Sequence, residues 1–312
     1  MENIKVISII IPCYNVESYI FSLYSMLEQQ TYSVWEAICI NDGSIDRTEE
    51  LLLQLAENDS RIKVYSQSNR GVAQAREKGI KKAVGDYITF LDADDTLAIN
   101  ALELLMEGSH YNADIVVSSF NIIYCDKAKK IKPIDFTVLD SVTYLKKVLH
   151  GRYGWELCAK AYKRELFNWT IKTPKGIRIG EDAAVFIQLV VKAKKIIGCS
   201  QSIYNYVQYD QSASHVRNIT YAEETLKAAC FIECLLERES IYAEIRNDIN
   251  AMFLLFFSNS TRKAFLDMSH PLMKKVKVHM TLSALMSISC KKAIYILLSY
   301  YFLPFIFKLL KK

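Results

Sequence analysis

Three carboxylates stand within four residues at Asp92-Ala93-Asp94-Asp95, directly behind the apolar and β-branched run Tyr87-Ile88-Thr89-Phe90-Leu91. That run reads as a buried strand. In an extended segment residues i and i+2 point the same way, so Asp92 and Asp94 are expected to reach one point beyond the strand tip. Two like charges so close are costly unless a cation joins them. Hard oxygen ligands suit Mg²⁺ or Mn²⁺, which bind a few carboxylates together with substrate phosphates. The alternative is a solvated acidic turn that caps the next helix, with Asp95 or Thr96 as its N-cap.

Two further strand ends carry matching chemistry. Residues 6–11 form a continuous apolar strand that runs into Pro12-Cys13-Tyr14-Asn15, and residues 34–40 form a second that runs into Asn41-Asp42-Gly43-Ser44. The first loop is not G-x-G-x-x-G, which argues against a dinucleotide fingerprint, and the absence of G-x-x-x-x-G-K-[ST] excludes a P-loop. Instead Tyr14 offers an aromatic face, and Asp42 a carboxylate able to accept a hydrogen bond from a base N–H. A stacking ring, an acceptor for a base edge and a metal-binding acid pair are what a nucleoside diphosphate needs. Taken singly, each loop is an ordinary turn, Asp42-Gly43 above all.

The elements that must position these loops alternate strand and helix. Helical spacing is found over 16–29, 46–57, 71–84 and around 99–107, and strands over 6–11, 34–40, 62–65, 87–91 and 114–119. Apolar strands alternating with helices imply a mostly parallel sheet flanked by helices on both faces, which binds ligands beyond the carboxyl ends of its strands. From about residue 140 the chain is irregular and then mainly helical, with long helices expected over 221–239 and 241–257.

In order, these motifs resemble glycosyltransferase family 2, enzymes of the GT-A fold that use nucleotide-activated sugars. The resemblance rests on Ile9-Ile10-Ile11-Pro12-Cys13-Tyr14-Asn15, Asn41-Asp42-Gly43-Ser44-Ile45-Asp46, Asn69-Arg70-Gly71-Val72-Ala73-Gln74-Ala75-Arg76 and the acid cluster at 92–95. It implies that Tyr14 and Asp42 hold a nucleobase, usually uracil, with Pro12 shaping the turn and Asn15 beside it. Arg76 would lie near base and diphosphate, Asp92 would reach the ribose or the metal, and Asp94 would ligate Mn²⁺ or Mg²⁺. One departure stands out: the family's A-R-N-x-G reads Ala75-Arg76-Glu77-Lys78-Gly79 here, which adds a negative charge near a polyanionic donor unless Glu77 points outward. Further on, Gly180-Glu181-Asp182 before the helical run 183–191 resembles the family's E-D motif, whose Asp is the usual catalytic base. Acids at a helix start are also favoured by the dipole alone. The upstream Trp155, Lys160 and Tyr162 fit the same pattern, with Trp155 as core and Lys160 as a solvated charge the plainer alternatives. Tyr204-Asn205-Tyr206 and Ser212-Ala213-Ser214-His215 resemble the segment that closes many such domains. His215 would there approach metal or diphosphate, or simply be solvated.

The resemblance implies an inverting transferase that takes a sugar from a nucleotide-sugar donor, usually a UDP-sugar, to a glycan acceptor. In a bacterial capsule, exopolysaccharide or O-antigen setting that acceptor would be carried on a polyprenyl diphosphate. The expected organisation is a GT-A domain over 1–218 (donor half about 1–120, acceptor half about 121–218) and a helical region over 219–312. Rival classes are a nucleotidyltransferase acting on sugar phosphates, which would not need Asp182, and a non-catalytic membrane-associated scaffold, against which the intact acids speak. No nucleic-acid partner is expected.

Composition bounds the rest. The chain has 312 residues, 12% aromatics and a net charge of +5, enough for a sizeable core. From Arg262 to Lys312 ten Lys/Arg face one acid, Asp267, so this tail carries +9 and the remainder −4. A basic tail on an acidic body suggests a polyanionic partner. Eight cysteines without a C-x-x-C pair fit reduced thiols better than a disulfide framework. The N-terminus runs into a strand without a signal-peptide pattern. Residues 293–307 are almost continuously apolar, rich in Tyr and Phe and flanked by lysines, yet shorter than a span and interrupted by Pro304. The expected location is therefore cytoplasmic and peripheral, at the inner face of the membrane; the alternative is a helix folded onto the body.

Overall fold

The computed structural model describes residues 4–124, 127–130, 134–168, 171–174, 176–208 and 217–302. The chain divides into two compact units. The first comprises Met1–Ser141, Glu156–Ile171 and Lys192–Tyr209; the second comprises Val142–Trp155, Lys172–Val191 and Asp210–Lys312.

The first unit begins with the expected alternation: β1 (Ile7–Cys13), α1 (Ile20–Glu28), β2 (Trp35–Asn41), α2 (Thr48–Asn58), β3 (Ile62–Ser66), α3 (Val72–Lys82) and β4 (Tyr87–Phe90). Every residue of β2 and β4 is buried, and β1 is buried except at Pro12, as strands covered on both faces require. The three pair in parallel with β1 central, Ile10 standing level with both Ile38 and Phe90, and β3 extends the sheet beyond β2. Gly79 lets α3 lie close on this sheet, since a Cβ there would sit 2.5 Å from Ile10 Cγ2.

Beyond β4 the sheet becomes mixed. After β5 (Thr96–Leu97) and α4 (Ala101–His110) come β6 (Ile115–Tyr124), β7 (Lys127–Lys130) and β8 (Val138–Asp140). The chain then leaves the unit and returns twice, as β9 (Lys160–Lys163) and β10 (Lys195–Gln208). The strand order is β3-β2-β1-β4-β9-β6-β10-β5, with β7 on β6 and β8 on β10. β9 is antiparallel to both its neighbours, while β10 is parallel to β6 with register shifts around Gly198–Tyr204. Those shifts explain why β10 escaped the sequence reading. Its middle, Gly198-Cys199-Ser200-Gln201-Ser202, has neither an apolar run nor clean alternation.

The second unit is helical: α5 (Ser141–Leu149), α6 (Glu181–Lys192), α7 (Ile219–Leu236), α8 (Tyr242–Thr261), α9 (Pro271–His279), α10 (Leu282–Ser287) and α11 (Cys290–Tyr301). The two long helices fall where they were expected. α8 is its core, buried continuously from Ala251 to Ser258. It packs against α7, α9, α10 and α11. Residues 290–301 therefore fold onto their own unit, with Tyr300 edge-on to Phe257 and Tyr295 hydrogen-bonded to Thr261. Residues 303–312, the rest of the apolar tail, lie outside the described residues.

Candidate functional site

The parallel register of β1 and β2 sets Cys13 level with Asn41, so the loops that follow emerge side by side. They are laced together. Asn15 is left-handed (φ 52°), a conformation Asn tolerates better than most residues. Its Oδ1 accepts from Ile45 N (2.9 Å), and its own N–H donates to Ser44 Oγ (3.1 Å). Val16 N donates to Thr48 Oγ1 at 2.8 Å, and Arg47 N to Glu17 Oε2 at 2.8 Å. Beside this lacing Tyr14 stands 49% exposed, whereas Pro12, expected to shape the turn, is still within β1, level with Ile40.

Asp42 is the opposite, only 3% exposed. Its N–H donates to Cys13 O (2.8 Å), which fixes it against β1. Oδ1 accepts from Gln67 Nε2 (2.8 Å) and Arg70 N (2.9 Å), and Oδ2 from Gly71 N (2.8 Å). The carboxylate thus anchors the loop between β3 and α3. Among the described residues Oδ2 accepts one bond only, which leaves it acceptor capacity for a ligand N–H. Gln67 was not foreseen, because a polar residue in a loop carries no local signal of a partner 25 positions away.

The acid cluster departs from the extended geometry expected of it. β4 ends at Phe90, and Asp95 N donates to Asp92 O (3.1 Å), so 92–95 forms a turn. Asp92 meets Arg76 of α3, Nη2 to Oδ1 at 2.9 Å, so a guanidinium already neutralises one acid of the pair. Among the described residues Asp94 has no such counter-charge to lower it: burial, reinforced by the Asp92 charge, pushes its carboxyl above the ordinary range. Asp95 is neither a helix cap nor solvated. It is buried, its Oδ1 accepts from Val207 N (2.8 Å), and its Oδ2 accepts from Tyr204 Oη. Those bonds favour the ionised form, but burial, with the charges of Asp92 and Asp94 added, outweighs them and pushes Asp95 up to about 8. Tyr204 Oη in turn accepts from Asp92 N at 3.3 Å. One buried tyrosine of β10 therefore holds both ends of the acid turn.

The residues present suit a divalent cation that arrives with its substrate. Among the described residues no three of His, Cys, Asp and Glu converge on one point. Were such a cation held here, the protein's contribution would be the Asp92–Asp94 pair, the small carboxylate number that Mg²⁺ uses when phosphate oxygens and water complete its shell. Glu77, the departure from the family pattern, points outward and pairs with Lys81 Nζ at 2.6 Å.

The remaining expected residues divide between the units. Lys160 is not a solvated charge: it is 2% exposed, and its ammonium donates to Glu156 O (2.6 Å) and Cys158 O (3.3 Å). Trp155 belongs to the second unit, half-buried with its ring 4.7 Å from that of Phe256. Glu181 and Asp182 open α6, both half-buried, where the helix dipole favours acids. Gly180 before them has φ 90°, and a Cβ there would lie 2.7 Å from Ala228 Cβ, so the turn presenting Asp182 demands glycine. His215 and the Ser212-Ala213-Ser214 segment lie outside the described residues.

Comparison with known proteins identifies the family and the fold. The profile described as Glycosyl transferase family 2 matches residues 8–174. The chain is 32% identical to the uncharacterized glycosyltransferase EpsJ of Bacillus subtilis over 68% of its own length and 64% of EpsJ. It is 28% identical to a cholesterol galactosyltransferase of Borreliella burgdorferi over 80% of its length and 73% of that protein. Among solved structures, S. aureus TarS superposes with a TM-score of 0.68 at 16% identity, covering 95% of this chain and 52% of TarS. TarS 1–349 in complex with UDP-GlcNAc gives 0.64 at 15% identity, covering 95% and 88%. The mannosyltransferase PcManGT of Pyrobaculum calidifontis, in complex with GDP-Man and Mn²⁺, gives 0.53 at 14%, covering 95% and 85%. The fold is that of the GT-A glycosyltransferases, and the chain belongs to glycosyltransferase family 2.

Proposed function

We propose that this chain transfers a sugar, with inversion, from a uridine diphosphate sugar to a glycan acceptor carried on a lipid. The setting would be assembly of a bacterial surface polysaccharide at the inner face of the membrane, with contact through the C-terminal region. The observation that carries the donor half of this reading is the Asp42 carboxylate. It is buried, held by three donors and still able to accept a fourth, beside the open ring of Tyr14. That combination suits a base with an N–H edge and a flat face, as uracil has. The UDP-GlcNAc complex of TarS 1–349 supports the same choice.

Asp94 and Asp92 would hold Mn²⁺ or Mg²⁺, which when bound supplies charge neutralisation for the departing diphosphate. Arg76 keeps Asp92 aligned and offers positive charge at the same strand end. Asp182 would accept the proton of the acceptor hydroxyl as that oxygen attacks the anomeric carbon. A single carboxylate suffices, because a diphosphate leaves without protonation. This differs from glycosidases, which pair two.

The test is thermal shift with UDP, GDP and CDP in the presence and absence of Mn²⁺, followed by assay of UDP release from UDP-sugars. UDP should stabilise the protein most, and Asp42→Asn should remove that preference. Release of pyrophosphate from UTP and a sugar 1-phosphate would replace the proposal with nucleotidyl transfer.

A further inference from the structure

α11 is apolar on two opposite sides. At 100° per residue, Ile296, Ser299 and Tyr300 form one stripe, and all three are buried against the second unit's own helices. Lys291, Ile294, Leu298, Tyr301 and Phe302 form another stripe on the far side. There Ile294 is 53% and Leu298 47% exposed, and Tyr301 and Phe302 are more so. α10, which packs on α8 as α11 does, repeats the pattern: Ala284 is buried while Leu282 and Met286, one turn apart, are exposed. Helices with one side committed to a core normally turn charge to water on the other. Here large apolar side chains occupy that place on successive helices.

The charge around them identifies the occupant. From Met268 to Lys312 the sequence contains no Asp or Glu, and Lys291 heads the exposed stripe itself. Apolar and aromatic side chains with lysines and no acids are complementary to a bilayer with anionic headgroups, where apolar insertion and charge act together. Tyr at the stripe's end suits the headgroup level. No helix among the described residues is long and apolar enough to cross a membrane. α11, at 12 residues, reaches roughly 18 Å against a hydrocarbon core of about 30 Å. Its docked side also ties it to α8. We propose that the outward stripe of α11, with Leu282 and Met286 of α10, is a docking surface for an anionic bilayer, on which α11 lies lengthwise. This deepens the membrane contact proposed above: the binding element is one face of a folded helix, whose other face is needed for the core.

The experiment is sedimentation of the full chain with vesicles of phosphatidylglycerol and phosphatidylcholine, and with phosphatidylcholine alone. Wild type should sediment with the anionic vesicles and much less with the neutral ones. The double variant Ile294→Asp/Leu298→Asp places carboxylates at exposed positions and should lower anionic-vesicle binding by about ten-fold or more, with an unchanged melting temperature. Lys291→Glu should lower it by less. Should the aspartates disturb folding, Ile294→Ser/Leu298→Ser keeps the helix uncharged and must still lose most of the binding. Wild-type binding by a folded double variant, or no sedimentation of wild type at low salt, overturns the proposal. So does conversion of a dimer to monomers with vesicle binding intact, which would assign the stripe to a second copy. UDP release from a UDP-sugar is measured on the same samples. Its absence counts against the transferase reading alone, because vesicle binding does not depend on it.

Discussion

The two ends of the sheet treat buried carboxylates in opposite ways. At the N-terminal end, Glu36 of β2 is enclosed by donors: Ser8 Oγ at 2.6 Å, Val84 N at 2.8 Å, Gly85 N at 3.2 Å and the Lys63 ammonium. Burial alone would push its carboxyl up, but Lys63, Ser8 and Val84 together hold it below the ordinary value. At the C-terminal end, half-buried Asp94 and buried Asp95 are both pushed up, by desolvation first and then by the charges of neighbouring carboxylates. The first arrangement is closed, with every charge answered inside the protein. The second is left short of positive charge, although Arg76 is at hand for Asp92. Among the described residues no cation answers Asp94 as Lys63 answers Glu36, and the proposed divalent ion would remove that difference.

The comparison can be broken by substitutions that separate rate from stability. The largest effect should come from Asp182→Asn, which keeps size and polarity but cannot take a proton, and should lower turnover by ~10²–10⁴ with UDP affinity unchanged. Near wild-type turnover with a true acceptor would shift the role to Glu181 or another acid. Asp94→Asn should cost roughly 10²–10³ in metal-dependent turnover. It should leave the melting temperature intact or raise it, since it removes a strained charge; undiminished transfer in excess chelator would refute the metal role. Tyr204→Phe tests the clamp on the acid turn. It should weaken Mn²⁺-dependent UDP binding by ~10–100-fold while metal-free UDP binding, which the proposal assigns to Tyr14 and Asp42, stays as it was. Equal losses in both would make the tyrosine a general packing residue.

Glu36→Gln should do the reverse and give the smallest effect on rate. It is expected to lower stability by roughly 1–3 kcal/mol, read by denaturant midpoint, with turnover per folded molecule unchanged. Because the folded-state value of Glu36 is depressed, its contribution is complete above the unfolded carboxylate range and fades as pH falls through the depressed value. The variant should therefore flatten the acid limb of the stability profile.

Much of this was legible in the chain because it is local. Continuous apolar strands announced β1, β2 and β4, and turn residues announced the loops at their ends, so Tyr14, Asp42 and the acid cluster could be placed on one rim. What could not be read is what those residues touch. The alternative for the acid cluster, a turn capped by Asp95 or Thr96, rests on Asp commonly being a cap; the partner of Asp95 is instead a tyrosine of a strand whose pattern is interrupted in the middle. For Lys160 the sequence leaves a site role and a solvated charge both open; the second fails, because its ammonium donates to two backbone carbonyls inside the protein. The antiparallel insertion of β9 between β4 and β6 is also non-local, and four residues, Lys-Ala-Tyr-Lys, without strict alternation do not announce it.

The long reach between Asp95 and Tyr204 has a consequence for synthesis. They lie 109 positions apart, and ribosomes add roughly 5–20 residues per second. For on the order of 5–20 s, then, a nascent chain carries the 92–95 turn without its clamp. A chain arrested before β10 should hold the loops after β1 and β2 and the Asp92–Arg76 pair, while Asp95 remains unanchored. Competence to recognise the base would thus be acquired earlier on the ribosome than competence to handle the diphosphate.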